Sequence, residues 1–324
     1  MRTRATAAAA ILSGALALTA LAVPAAQATG TGAALTPARA HALVHQFASG
    51  QIATTGRSTL SAHTPMAQPY ALDFKFSALK INGGKPIVVG PTAKVTVPVT
   101  YTVTYGSDVD ITADDFFFDV DLYKGSADDP DNNLFADNEP VCKVTSSTTT
   151  DTDVITVAGC TTKIVIRPKV ELDSSDAGKG WKAEGVAVAF NGEDPSSKDF
   201  DPSKIGLANQ SGLASTSLQR ASILTVNAKP EPVKKGKTLT IVGKLTRANW
   251  ETNKNAGYTK QPVQLQFRKK NTTKYVTVKT VKSGSGGNLK TTTKAKVSGY
   301  WRYSFAGNST TPAVNAPGDY VAVK

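Results

Sequence analysis

The chain has 324 residues, 40% of them apolar, and 37 Lys and Arg against 25 Asp and Glu, for a formal net charge of +12. Its three histidines (His41, His45 and His63) lie near the N-terminus, so no Ser-His-Asp set can be built from the rest of the chain. The charge is sorted by position: 229–324 carries 16 Lys and 3 Arg against Glu231, Glu251 and Asp319, whereas 107–139 carries ten Asp and Glu139 against Lys124. Such blocks point to a polyanionic partner for the first segment and a hard cation for the second.

In chain order, the N-terminus has the layout of a signal peptide over 1–28. Arg2 and Arg4 precede an apolar Ala/Leu run, and Ala26-Gln27-Ala28 supplies a small-x-small cleavage site. No later stretch reaches the ~20 apolar residues of a membrane span, so the mature chain is expected to be secreted. Residues 29–70, rich in Ala, Thr, Ser and Gly, read as a flexible leader with one short helix, capped by Thr36 and pairing Leu43 with Phe47.

From Leu72 the apolar period becomes two. Val95, Val97, Val99, Tyr101, Val103 and Tyr105 alternate with Thr and Pro98, the pattern of a half-buried strand. A second strand over 115–123 sets Phe116, Phe118, Val120 and Leu122 on one face and Phe117, Asp119, Asp121 and Tyr123 on the other. Further strands are expected at 74–81, 139–145, 153–158, 162–167, 182–190 and 216–227. Such spacing without helices predicts an antiparallel sandwich over 71–228. The two cysteines, Cys142 and Cys160, allow one intramolecular disulfide, which secretion favours.

Lys229-Pro230-Glu231-Pro232 reads as an inter-domain linker or a strand entry. Six or seven strands follow within about 95 residues, the size of one immunoglobulin-like domain. The fold expected is therefore all-β: two tandem immunoglobulin-like antiparallel β-sandwich domains, 71–228 and 229–324, after the signal peptide and leader. The segments KPEPVKKGKTLTIVGKLTRANW, GYTKQPVQLQFRKK, GYWRYSFAG and GDYVAVK resemble the C-terminal immunoglobulin-like domain of secreted actinobacterial, especially streptomycete, proteins, some of which carry a calcium-binding label. The resemblance implies fold and secretion, and it leaves activity open.

Two segments carry chemistry. Asp129, Asp131, Asn133, Asp137 and Glu139 offer hard oxygens at alternating positions, which suit Ca²⁺. Position six counted from Asp129 is Leu134 and position twelve is Pro140, so the loop is not an EF-hand. Asp108, Asp110, Asp119 or Asp121 can add ligands from a turn or an exposed strand face, and the competing reading is a solvated acidic edge. The Lys-rich C-terminal module reads as a soluble edge-protected surface or as an adhesive for anionic cell-wall or extracellular polymer. Nucleic acid is disfavoured, because bidentate contacts favour Arg over Lys. Trp301 reads as core, Trp181 as ambiguous, and Trp250, beside Asn249 and Glu251, as a loop residue available to a sugar. No catalytic fingerprint occurs. The leading function is thus a secreted non-catalytic interaction protein, with a calcium-binding protein and a two-carboxylate polysaccharide hydrolase as alternatives.

Overall fold

The computed structural model describes residues 44, 68–127, 133–195, 197 and 199–324. The expected signal peptide and, apart from Val44, nearly all of the leader, including its short helix, lie outside the described residues, as do Asp129 and Asp131.

The first sandwich contains β1 (Tyr70–Ala71), β2 (Phe74–Ile81), β3 (Ile87–Val89), β4 (Val95–Tyr105), β5 (Phe116–Lys124), β6 (Asn133–Leu134), β7 (Val141–Thr149), β8 (Val154–Ile166), β9 (Gly178–Ala189), β10 (Gly206–Gln210) and β11 (Ser215–Arg220). One sheet has the order β2-β4-β8-β7. In the other, β9 is central, with β5 on one edge and β10 then β11 on the opposite edge. β6 extends β5, and β3 adds parallel to β11. In immunoglobulin lettering the first sheet is A-B-E-D, and β5, β9 and β10/β11 take the places of C, F and G.

The even-numbered side chains of β5 meet this core as the period predicts. Phe116 and Phe118 pack on Phe74, whose centroid lies 5.5 and 5.3 Å from theirs. At Gly185 of β9 the Phe76 ring takes the room of a side chain, since a Cβ there would stand 2.6 Å from it. Cys142 and Cys160 are disulfide-bonded. They are register partners on β7 and β8, neighbours in one sheet. The bond of antibody domains instead crosses between sheets, so here the two layers are joined without a disulfide, by core packing and by contacts such as Phe76 N–H to Gln210 Oε1 at 2.5 Å.

The second sandwich comprises β12 (Ser222–Leu224), β13 (Asn227–Lys229), β14 (Thr238–Asn249), β15 (Lys254–Gly257), β16 (Pro262–Lys269), β17 (Val276–Lys282), β18 (Asn288–Lys294), β19 (Gly299–Phe305), β20 (Val314–Asn315) and β21 (Asp319–Val321). β12 and β13 flank one edge of β14, and β15 and β18 the other. The facing sheet runs β17-β16-β19 and ends on β20 and β21. These are the A-B-E and C′-C-F-G groupings, so both units are immunoglobulin-like β-sandwiches. Leu239, Ile241, Leu265, Trp301, Tyr303 and Phe305 fill the core between the sheets.

The strands expected at 153–158 and 162–167 are one continuous strand, β8, and three further features differ from the sequence reading. The single strand expected over 216–227 is divided: β11 belongs to the first sandwich, and β12 and β13 pair with β14 of the second. The chain changes sandwich at Ala221, eight residues before Lys229. Lys229-Pro230-Glu231-Pro232 is accordingly internal to the second sandwich. It carries the chain across to the facing sheet, where Val233 bridges Val323 in parallel. Third, Val44, within the span of the leader's expected short helix, is helical, but it is fully buried against Val186, Val188, Phe190 and Ile205 on the outer face of β9, in a segment that reads as flexible from sequence.

The two sandwiches share a seam. Ala221 N–H donates to Val89 O, and Ala248 N–H donates to Ala221 O. Trp250, 1% exposed, belongs to the hydrophobic cluster of the first sandwich and donates its indole N–H to Gly90 O at 3.0 Å. The Arg220 guanidinium lies 5.5 Å from the Trp250 ring centroid, and Glu251 Oε1 accepts from Ser174 N–H at 2.8 Å.

Candidate functional sites

Of the expected calcium ligands, Asn133, Asp137 and Glu139 are described, and they do not face one point. Asn133, on β6, donates its side-chain N–H to Asp121 Oδ2 at 2.9 Å. Asp137 is held by the Arg167 guanidinium and by Val165 N–H at 2.7 Å. Glu139 is exposed beside a cleft lined by Ile111, Phe116 and Phe118. Of the extra acids considered, Asp110 caps a turn, accepting from Thr112 N–H at 2.8 Å.

The strand face expected to be exposed is instead buried. Asp119 is 1% exposed and Asp121 is wholly buried. β5 pairs with β9 so that Asp121 stands directly opposite Glu184, which is 1% exposed. Glu184 escaped the sequence reading. Its signal was a lone acid at the head of the apolar run Gly185-Val-Ala-Val-Ala-Phe190. Two like charges opposed on a ladder repel, and burial penalises the charged form of Asp121. Burial, with Asp137 as a further negative neighbour, pushes the Asp119 carboxyl up to about 8 against the pull of Val120 N–H. Burial, Glu184 and Asp119 together hold Asp121 well above the usual carboxylate range. Burial and then Asp119 raise the Tyr101 hydroxyl. Among the described residues, Asp119 Oδ2, Asn133 Oδ1 and the Tyr101 hydroxyl are buried with no hydrogen-bond partner. No three His, Cys, Asp or Glu side chains of the described residues converge as a metal site.

The basic module has a different character. All 16 lysines of 229–324 are exposed. Among the described residues, none of them is in an ion pair. Asp319 is turned to Ala228 N–H, which it accepts at 2.6 Å, and Glu251 is held at the seam. Glu231 is pushed up first by burial and then by Asp319, which outweigh the pull of Lys229.

The outer face of the β17-β16-β19-β21 sheet interleaves rings with guanidinium groups. Arg302 lies 3.8 Å from the Tyr275 ring centroid, and Arg268 lies 4.0 Å from that of Tyr300. Tyr300 packs on Tyr320 at 5.1 Å. The period of two along β19 separates Tyr300 and Arg302 from Trp301, Tyr303 and Phe305, but it gives no hint of their partners, which come from three other segments.

No exposed tryptophan face exists among the described residues. Trp181 is 2% exposed and donates to Asp176 O at 2.8 Å, Trp301 is 6% exposed, and Trp250 lies in the seam. The reading of Trp250 as a free loop contact is thereby corrected. No described helix is long and apolar enough to cross a membrane.

No protein-family model and no curated protein matches the chain. Among solved structures, it is similar to the mouse nectin-like molecule 4 ectodomain at 13% identity, over 76% of this chain and 64% of that one, with a TM-score of 0.19. The amphioxus IgVJ-C2 molecule is 12% identical, over 73% and 99%, at 0.22. The group B streptococcus pilus 2b backbone protein is 9% identical, over 76% and 95%, at 0.17. The chain thus spans less than two thirds of the nectin-like ectodomain. At these scores the superpositions add nothing to the fold assignment, which rests on strand order.

Proposed function

We propose that this is a secreted, non-catalytic interaction protein whose basic second sandwich holds it to anionic extracellular polymers, cell-wall polymers among them. The observation that carries the reading is the set of 16 exposed lysines without ion-pair partners. A field of this kind attracts polyanions and is screened over ~8 Å at physiological salt. The disulfide accords with export. Retention of the full chain on immobilised polyphosphate and on purified cell walls should fall steeply from low to high salt. Salt-independent retention, or none at low salt, overturns the reading.

One observation favours a second reading, calcium binding by the first sandwich. The partnerless Asp119 and Asn133 oxygens lie beside Asp121, and hard oxygens of this kind suit Ca²⁺. Of the described members of the Asp129, Asp131, Asn133, Asp137 and Glu139 set, Asn133 would join Asp119 and Asp121, since it already touches Asp121, whereas Asp137 is engaged by Arg167. Millimolar calcium should then raise the melting temperature through linkage to the folded state. Asp119→Asn should abolish the rise, and Asp151→Asn should leave it. An equal rise with magnesium would mark diffuse screening. A hydrolase draws less support, because Asp119, Asp121 and Glu184 are buried beyond the reach of a polymer chain.

A further inference from the structure

We infer that the tyrosine–arginine face of the second sandwich is a shaped site for an acidic polysaccharide, with sugar carboxylate or sulfate groups on Arg268 and Arg302 and sugar rings against Tyr300 and Tyr320. The inference rests on the polyanion reading above and goes further, because it replaces a diffuse field with a defined face.

Register builds the face. Arg268 on β16 stands opposite Tyr300 on β19, Gln266 stands opposite Arg302, and Tyr300 stands opposite Tyr320 on β21. The two arginines are therefore diagonal neighbours on one sheet surface, at a spacing of about 7–8 Å for such pairs. Tyr275 lies across them, 3.8 Å from Arg302 and 5.3 Å from Arg268. A Cβ at Gly318 would collide with its hydroxyl, so Gly318 leaves the room in which Tyr275 lies.

Each guanidinium is fixed before any ligand arrives. Arg302 Nε donates to Gln266 Oε1 at 2.9 Å, and Arg268 Nη1 donates to Thr272 O. A guanidinium has five N–H donors, so each retains several for an anion. Stacking on rings and a planar fork reduce the entropy lost on binding. Of the exposed lysines, Lys279 and Lys294 each make one hydrogen bond, to Thr292 O and Thr238 Oγ1, and none offers a planar fork. Charge complementarity selects the occupant. The acid next to this face, Asp319, is turned to Ala228 N–H, and Lys270 adds a cation 6.0 Å from the Tyr320 ring. The half-buried tyrosine rings offer flat apolar surface, which suits a pyranose and is wasted on a ring-free chain.

The test compares two double variants of the full chain with equal loss of charge. Arg268→Gln/Arg302→Gln removes the face. Lys290→Gln/Lys294→Gln removes two exposed lysines from β18, in the opposite sheet. Affinity is measured for polygalacturonate and for polyphosphate at one salt concentration. The arginine pair should weaken polygalacturonate binding about tenfold or more, the range for charge-assisted hydrogen bonds, and the lysine pair no more than about threefold. Tyr300→Ala/Tyr320→Ala should weaken polygalacturonate and leave polyphosphate unchanged. Equal losses from the arginine and lysine pairs, or tyrosine variants that bind polygalacturonate normally, overturn this inference and leave the broader reading standing. Failure of the wild-type chain to bind either polymer overturns both. Unchanged melting temperatures in the variants keep misfolding from imitating a positive result.

Discussion

Asp119 is the residue where the fold and the charge pattern conflict most directly. Its carboxyl is pushed up to about 8, first by burial, whereas the unfolded chain holds an aspartate near its ordinary value of 3.8. Between these values the folded state binds a proton that the unfolded state has released. Stability therefore falls as pH rises through this window, and it is greatest on the acid side. The same sign applies to Asp121, which burial and Glu184 also raise. The cost near neutral pH is on the order of a few kcal/mol. Urea denaturation of the full chain from pH 4.5 to 8 should show declining stability of the first sandwich, and Asp119→Asn should flatten much of the decline. A wild-type profile that rises toward pH 8 without divalent cation would show that Asp119 ionises normally. The period of two placed Asp119 and Asp121 on the face opposite the Phe core. It did not show that this face is also covered, because burial there depends on Glu184 and Val186 of β9, more than sixty residues away.

Strands were legible wherever one face alone met the core. β4 and β19 show the alternation directly, buried at Val97, Val99, Tyr101 and Val103 and at Trp301, Tyr303 and Phe305. The division of 216–227 was not legible, because both halves are extended and apolar-alternating. What separates them is Ala221, whose backbone bonds one sandwich on each side. The pairing of Cys142 with Cys160 followed from there being two cysteines, but the strands they join did not. The disulfide closes a separation of 18 residues between neighbours that already share a ladder. Removing it should cost at most about 3 kcal/mol by loop entropy. It should leave the two-sheet core intact, since the cluster to which Cys160 belongs is built chiefly from other side chains, Phe74, Phe76, Tyr101 and Phe118 among them. Cys142→Ser/Cys160→Ser should thus fold with unchanged near-ultraviolet circular dichroism and a lower urea midpoint. Loss of tertiary signal would mean that the bond organises the sandwich as well as fastening one sheet.

At the scale of the whole molecule the two sandwiches behave as one object, because the connection is a single residue and the seam is built from both. Arg220 N–H donates to Thr310 O at 2.9 Å, Gln219 Nε2 donates to Asn308 O at 3.0 Å, and Trp250 closes the hydrophobic cluster of the other sandwich. A break at Lys229, where composition suggested a linker, removes β12 and most of β13 from the edge of β14. It also exposes Leu224 and Ala228, both core residues of the second sandwich. Burial of one Leu side chain alone is worth roughly 1.5–3 kcal/mol, and the unpaired edge adds to the loss. A fragment 221–324 should therefore fold with a clearly higher melting temperature than 229–324. Both should melt below the intact chain, since each exposes Trp250. In the intact chain a single calorimetric transition is expected, and Trp250→Ala should lower or split it, because large-to-small aromatic changes cost about 3–5 kcal/mol when buried. Two independent transitions in the wild-type chain, with 229–324 as stable alone as 221–324, would show that the seam contributes little and that the boundary lies at Lys229 after all.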